Sequence, residues 1–305
     1  MKYYLLLGLF IIASCNEEKT DWINRTLHEG LVELNYSEKF ETYATEEQPE
    51  NIKRTIQILE SSKDYYDKVF DEDLNFAVLF VDNKNWNTYA FTPPPGMPQA
   101  YDGNIVLGIE KSVMATRAKQ GVENAPNDVK EHLRKIYGED IDLDLFYRDV
   151  LSIHELGHLY QFYRTSNRTQ RKWMNELFAN LCQVAAAKNI KDESVFDQMD
   201  VFQIFMINAN QWGNLKFKNL DQFEKYYFDV LKQGRNYAWY QVQFYTMAKE
   251  LYSKYGDSIL VKFREVLIKT DEEKVGRIDN IELNKILIEE LGNETMEIIK
   301  WKYDS

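Results

Sequence analysis

Two cysteines are all that this 305-residue chain contains, which excludes a disulfide framework as the source of its stability. Of these, Cys182 sits in the apolar helical stretch Leu181-Cys182-Gln183-Val184. A packed thiol is expected there, because a reactive one needs an exposed, electropositive setting. Basic residues are also in deficit: 37 Lys and Arg face 49 Asp and Glu, for a net charge of −12 with no Lys/Arg stripe. That balance excludes a general nucleic-acid binder, which needs a basic surface to neutralise phosphates. Of only six prolines, four fall in Thr92-Pro93-Pro94-Pro95-Gly96-Met97-Pro98, so this stretch must be a loop. The apolar run Tyr3 to Ile12 is too short to span a bilayer, and no internal repeat is visible. What is present is core material. Hydrophobic residues make up 44% of the chain and aromatics 14%, which excludes disorder over most of its length and suits one large domain or two closely packed lobes.

The amino terminus reads as a targeting signal: Lys2, the apolar run, then Ile12-Ala13-Ser14-Cys15. This last element resembles the lipobox of bacterial lipoproteins. The resemblance implies that residues 1–14 are removed, that Cys15 is acylated, and that the protein is a lipid-anchored component of the bacterial cell envelope. More than one acyl chain is expected, since a single chain holds a membrane only marginally. Asn16 to Thr20 then forms a polar tether, and 15–45 as a whole reads as tether plus a helical arm.

From Pro49 onward Ile52, Ile56, Leu59, Tyr66 and Phe70 keep helical spacing, which predicts a helix over 49–70. Leu74–Val81 and Asn104–Ile109 read as short buried strands. Helices are expected at 110–120 and 126–137, and after Asp142 at 143–164, 171–189, 194–209, 219–233, 237–255, 257–269 and 280–292, with Gly234, Gly256 and Gly292 as stops. The class is α+β, mostly helical. A small N-terminal mixed sheet with helices (46–165) packs against the helix that ends it, and a C-terminal helical lobe (166–305) follows.

The residues that carry chemistry lie at that junction. His154-Glu155-Leu156-Gly157-His158 is an H-E-x-x-H motif inside a helical pattern, and positions i and i+4 share one face, so both imidazoles can reach one zinc ion. Glu155 is placed to take a proton from water at that ion, and Leu151, Leu156 and Leu159 bury the helix. A catalytic zinc wants three protein ligands and an open position. Glu176, eighteen residues after His158 on the next predicted helix, is the natural third, and the polar turn Thr165 to Gln170 makes the return.

With Glu176 in place the pattern resembles the gluzincin zinc metallopeptidases, which include the thermolysin-like and M1 aminopeptidase families. The layout is similar over roughly residues 70 to 260, but the specific motif lies within 154–180. The resemblance implies Zn2+ as cofactor, a peptide or protein substrate, and Glu155 as general base. Asn175-Glu176 matches the family's Asn-Glu pair, whereas Asn180 stands where an aspartate orients a zinc-bound histidine. An amide accepts a ring N–H less strongly, which bears on tuning rather than on metal binding. The later histidine of thermolysin-like enzymes has no counterpart, since His28 and His132 both precede the motif. A tyrosine takes that role in the M1 type, which points to Tyr240 first and Tyr237 second. Gln99 to Gly108 resembles the family's edge strand over the metal, a surface to which an extended peptide can add. The alternative is a non-catalytic envelope lipoprotein that uses a zincin-like scaffold to bind protein or glycan. A purely structural zinc fits less well, because such sites are closed by four ligands.

Overall fold

A computed structural model of the chain describes residues 22–166, 169–208 and 212–299. Cys15, the signal before it and the tether lie outside the described residues. Among the described residues no helix is long and apolar enough to cross a membrane. The fold is α+β and mostly helical.

Five strands, β1 (Val32–Glu33), β2 (Glu41–Ala44), β3 (Ala77–Val81), β4 (Gln99–Tyr101) and β5 (Asn104–Gly108), form one mixed sheet in the order β1-β2-β3-β5-β4. The pairs β2–β3 and β3–β5 are parallel, whereas β1 and β4 are antiparallel edges. A parallel pair needs a crossover, and helix α1 (Lys53–Phe70) supplies it between β2 and β3. β3 and β5 are buried along their whole length, which is why they read as continuous apolar runs. Alternation along them divides two cores. Val78, Phe80, Ile105 and Leu107 face the main one, and Ala77, Leu79, Val81 and Val106 pack with Trp86 and Tyr89 on the other side.

Two expectations about this region are corrected. The helical arm expected over 15–45 is, from residue 22 on, a 3-10 turn at Arg25–His28 followed by β1 and β2. Glu41-Thr42-Tyr43-Ala44 alternates half-buried and buried, a period of two that pairing with β3 enforces. The single edge strand expected over Gln99 to Gly108 is instead a hairpin. Asp102 and Gly103, both at positive φ (+43° and +76°), make the tight turn that leaves β4 alone at the edge.

The remaining helices are α2 (Trp86–Tyr89), α3 (Val113–Val122), α4 (Asn127–Tyr137), α5 (Leu151–Phe162), α6 (Lys172–Asn189), α7 (Ser194–Asn208), α8 (Leu220–Lys225), α9 (Tyr227–Lys232), α10 (Gly234–Tyr255), α11 (Asp257–Lys269), α12 (Glu272–Val275), α13 (Asn280–Leu291) and α14 (Asn293–Ile299). Gly256 and Gly292 follow α10 and α13 at positive φ, as stops should. Gly234 does not stop a helix but opens α10, and the helix expected over 219–233 is broken at Tyr226 into α8 and α9. The helix expected over 143–164 begins as a π-helical stretch, Leu145–Val150, before α5 proper.

Several contacts fix α5 in place. At its start Asp149, which is buried, accepts Arg54 Nη1 at 2.7 Å and Thr55 Oγ1 at 2.6 Å from α1. Removing one partner takes a hydrogen bond from the buried carboxylate, at a cost on the order of 1–3 kcal/mol. Gln183 Nε2 on α6 donates to the Val150 carbonyl at 2.9 Å, satisfying a group at the π-to-α junction. Near its end Arg264 Nη2, from α11, donates to the Tyr160 carbonyl at 2.6 Å. Between these points α5 and α6 touch closely because Gly157 has no side chain: a Cβ there would lie 2.8 Å from Cys182 Cβ. Cys182 is fully buried, and burial pushes its thiol well above the ordinary range, as a packing residue requires.

Candidate metal centre

His154 and His158, one turn apart on α5, meet Glu176 of α6 so that one ligand atom from each lies within 4.8 Å of the others. His154 Nε2 and Glu176 Oε2 are 3.7 Å apart and both side chains are buried. Two ligands held about 2.0–2.1 Å from a tetrahedral zinc ion stand about 3.3 Å apart, so the His154–Glu176 pair is close to that spacing and the group as a whole would draw in to seat one. Two imidazoles and a carboxylate are also the donor set of open zinc sites. The imidazoles stand nearly perpendicular (82°), and His158 stacks on Phe162 at 5.6 Å.

Glu176 is held by α10. Gln241 Nε2 donates to its Oε2 at 2.7 Å, and Tyr237 Oη donates to the same oxygen at 3.5 Å. Asn180 Nδ2 donates to the Glu176 carbonyl at 2.8 Å and to Gln241 Oε1 at 3.1 Å. Asn180 thus orients the residue that orients Glu176. Asn175 accepts Gln161 Nε2 at 2.7 Å.

The charges follow from burial and proximity. Burial pushes the Glu155 carboxyl up to about 7, with the Glu176 charge adding and the His154 charge and Ala100 amide opposing. Burial likewise pulls His158 down to about 4, helped by the charge on His154. For His154 burial pulls downward, but the acceptor Glu176 Oε2 beside its Nε2 and the charges of Glu155 and Glu176 prevail and raise it. Glu176 is lowered: burial raises it, and the two histidines and Gln241 outweigh that.

These residues line a cleft of about 1250 Å³. On one side lie Pro93 to Pro95, Gln99 and Ala100, so the proline loop and the edge strand β4 form a wall; Tyr227, Tyr237 and Gln241 stand among its other lining residues. Gly96 pins the loop down, because its Cα would meet a Cβ at Gly108 at 2.7 Å and its own Cβ would strike Ser112. Tyr240, the tyrosine preferred from sequence, is not among the cleft-lining residues. Its ring is buried against Phe223 and its hydroxyl donates to the Asn219 carbonyl at 2.7 Å, so the packing of α8 on α10 turns it inward. Tyr237 does line the cleft.

Tyr227 and Gln241 were not singled out from sequence. Gln241 had a signal in its spacing: it lies four residues after Tyr237, on the same face of α10. Tyr227 had none, and its phenol is pushed upward by burial and by the charges of Glu176 and Glu155. His28 is bonded to Asn104 on the sheet and His132 is exposed on α4, so neither joins the centre. No protein-family model matches the chain, and no curated protein or solved structure is found to be similar to it.

Proposed function

We propose that the protein is a zinc-dependent peptidase of the bacterial cell envelope, attached through a lipid on Cys15. The observation that carries this reading is the convergence of His154, His158 and Glu176 in one cleft with a half-buried carboxylate, Glu155, that is not itself one of the three donors. A zinc ion held by those three residues would supply a Lewis acid that polarises a carbonyl and acidifies water.

The chain's own groups do the rest. Glu155, with a carboxyl near 7, is suited to accept a proton from water and pass it to a leaving amine at neutral pH. Tyr237 lines the cleft with its hydroxyl 3.5 Å from Glu176 Oε2 and serves as donor to an oxyanion. β4 is the edge strand beside the centre, and an extended peptide can add to it as a further strand once Glu155 releases the Ala100 amide. The test is a peptide-library digest with wild type and Glu155→Gln side by side, with zinc measured in both. A loss of on the order of a hundredfold or more in rate at unchanged zinc content is expected. Full activity in zinc-loaded Glu155→Gln would refute the mechanism, and no cleavage by either protein would favour a binding role for the cleft.

A further inference from the structure

Among the described residues, two buried polar atoms on α5 lack a hydrogen-bond partner beside the centre: Nδ1 of His158 and Oε1 of Gln161. They belong to side chains three residues apart, which on a helix lie on one face with Cβ atoms about 5–6 Å from each other. That is within reach by side-chain rotation. Gln161 is fully buried and its other amide atom is committed, since Nε2 donates to Asn175 Oδ1 at 2.7 Å. The bond to Asn175 therefore fixes the sense of the amide and leaves its oxygen as an uncommitted acceptor.

The histidine has the complementary need. A neutral imidazole that offers Nε2 to a metal carries its proton on Nδ1, and that N–H requires an acceptor to hold the tautomer and the ring. Of the two nitrogens of His158 it is Nδ1 that is buried without a partner. Asn180 donates its amide N–H groups to Glu176 and Gln241 and makes no hydrogen bond to this nitrogen.

We infer that Gln161 is the positioning residue of the second histidine ligand: its Oε1 accepts Nδ1–H of His158, and the chain Asn175–Gln161–His158 ties α6 to the ligand face of α5. The inference rests on the reading of His154, His158 and Glu176 as a metal site. It also explains a glutamine buried in the last turn of a helix, where an apolar residue would pack without any polar group to satisfy.

The experiment measures zinc affinity of the full chain by competition with a chromophoric chelator for wild type, Gln161→Met and Gln161→Glu, with thermal melting recorded for each. Gln161→Met keeps length and burial but removes the acceptor, and a 10–100-fold loss of affinity is expected. Gln161→Glu restores an acceptor, with Asn175 free to turn its amide and donate, and should recover most of the loss. Wild-type affinity in Gln161→Met would overturn the inference while leaving the metal site intact; absence of zinc binding by the wild type would remove the site and the inference together. Should Gln161→Met fail to fold, 15N spectra of the zinc-loaded wild type decide the matter. Coordination through Nε2 with a slowly exchanging Nδ1–H on His158 is expected, and coordination through Nδ1 would overturn it.

Discussion

Glu155 accepts the backbone N–H of Ala100 at 2.7 Å, so the candidate base on α5 and the edge strand β4 are joined by a hydrogen bond across the cleft. The strand and the base are therefore set at a fixed distance from each other, with the carboxylate on the strand's outward Ala100 amide. A peptide that aligned on β4 would arrive with its backbone already placed relative to the carboxylate.

The same carboxylate is a strain on the fold. A carboxyl whose folded-state value is raised from 4.5 to about 7 binds its proton more tightly folded than unfolded, so the penalty for ionising it is absent well below pH 4.5 and complete above about 7. Chelator-treated Glu155→Gln is therefore expected to melt at higher temperature than chelator-treated wild type at pH 8. The gain is on the order of 1–2 kcal/mol, and most of it is gone by pH 5. Calorimetry at the two pH values checks both the sign and the window.

Tyr237 and Tyr240 should separate cleanly. Tyr237→Phe is expected to lower kcat by about a hundredfold with little change in KM, as loss of an oxyanion donor does. Tyr240→Phe removes one of two donors to the Asn219 carbonyl, which keeps the Phe223 N–H at 3.0 Å, and should cost about 0.5–1.5 kcal/mol of stability, with turnover per folded molecule unchanged. Steady-state kinetics and denaturant melts on both variants give the comparison, and the reverse pattern would restore Tyr240 to the site.

Gly157→Ala inserts a methyl group where Cys182 Cβ stands 2.8 Å away, so α5 and α6 must move apart. Since each helix carries ligands, zinc content should fall along with about 1–3 kcal/mol of stability. Adding Cys182→Gly removes the opposing carbon and is expected to return part of both. Unchanged zinc in Gly157→Ala would show that the helix spacing has slack.

Cys15→Ala should move the protein from the membrane to the soluble fraction, because the attachment proposed is the acyl group on that thiol. Fractionation of cells expressing each form is the check, and an equally membrane-bound variant would count against the anchor.

Most helices and the meeting of His154, His158 and Glu176 were legible because their information is local. H-E-x-x-H states its geometry through the i, i+4 spacing, and Glu176 follows on the next helix with a short polar turn between. What was not legible depended on distant partners. β1 and β2, of two and four residues, owe their form to pairing rather than to any periodicity of their own. Whether Tyr237 or Tyr240 faces the cleft is decided by where α8 packs on α10, which the α10 sequence does not contain. Gln161 carries no pattern at all; a buried amide acquires its role only from the groups around it.

The Tyr160 carbonyl near the end of α5 is satisfied by Arg264, 104 residues further along the chain. A polypeptide emerging amino end first therefore displays both motif histidines long before it owns the guanidinium that completes their helix. Possession of the motif and possession of the finished centre are separated by the time needed to synthesise the second half of the molecule, and a truncated product ending before α11 would carry the signature without the site.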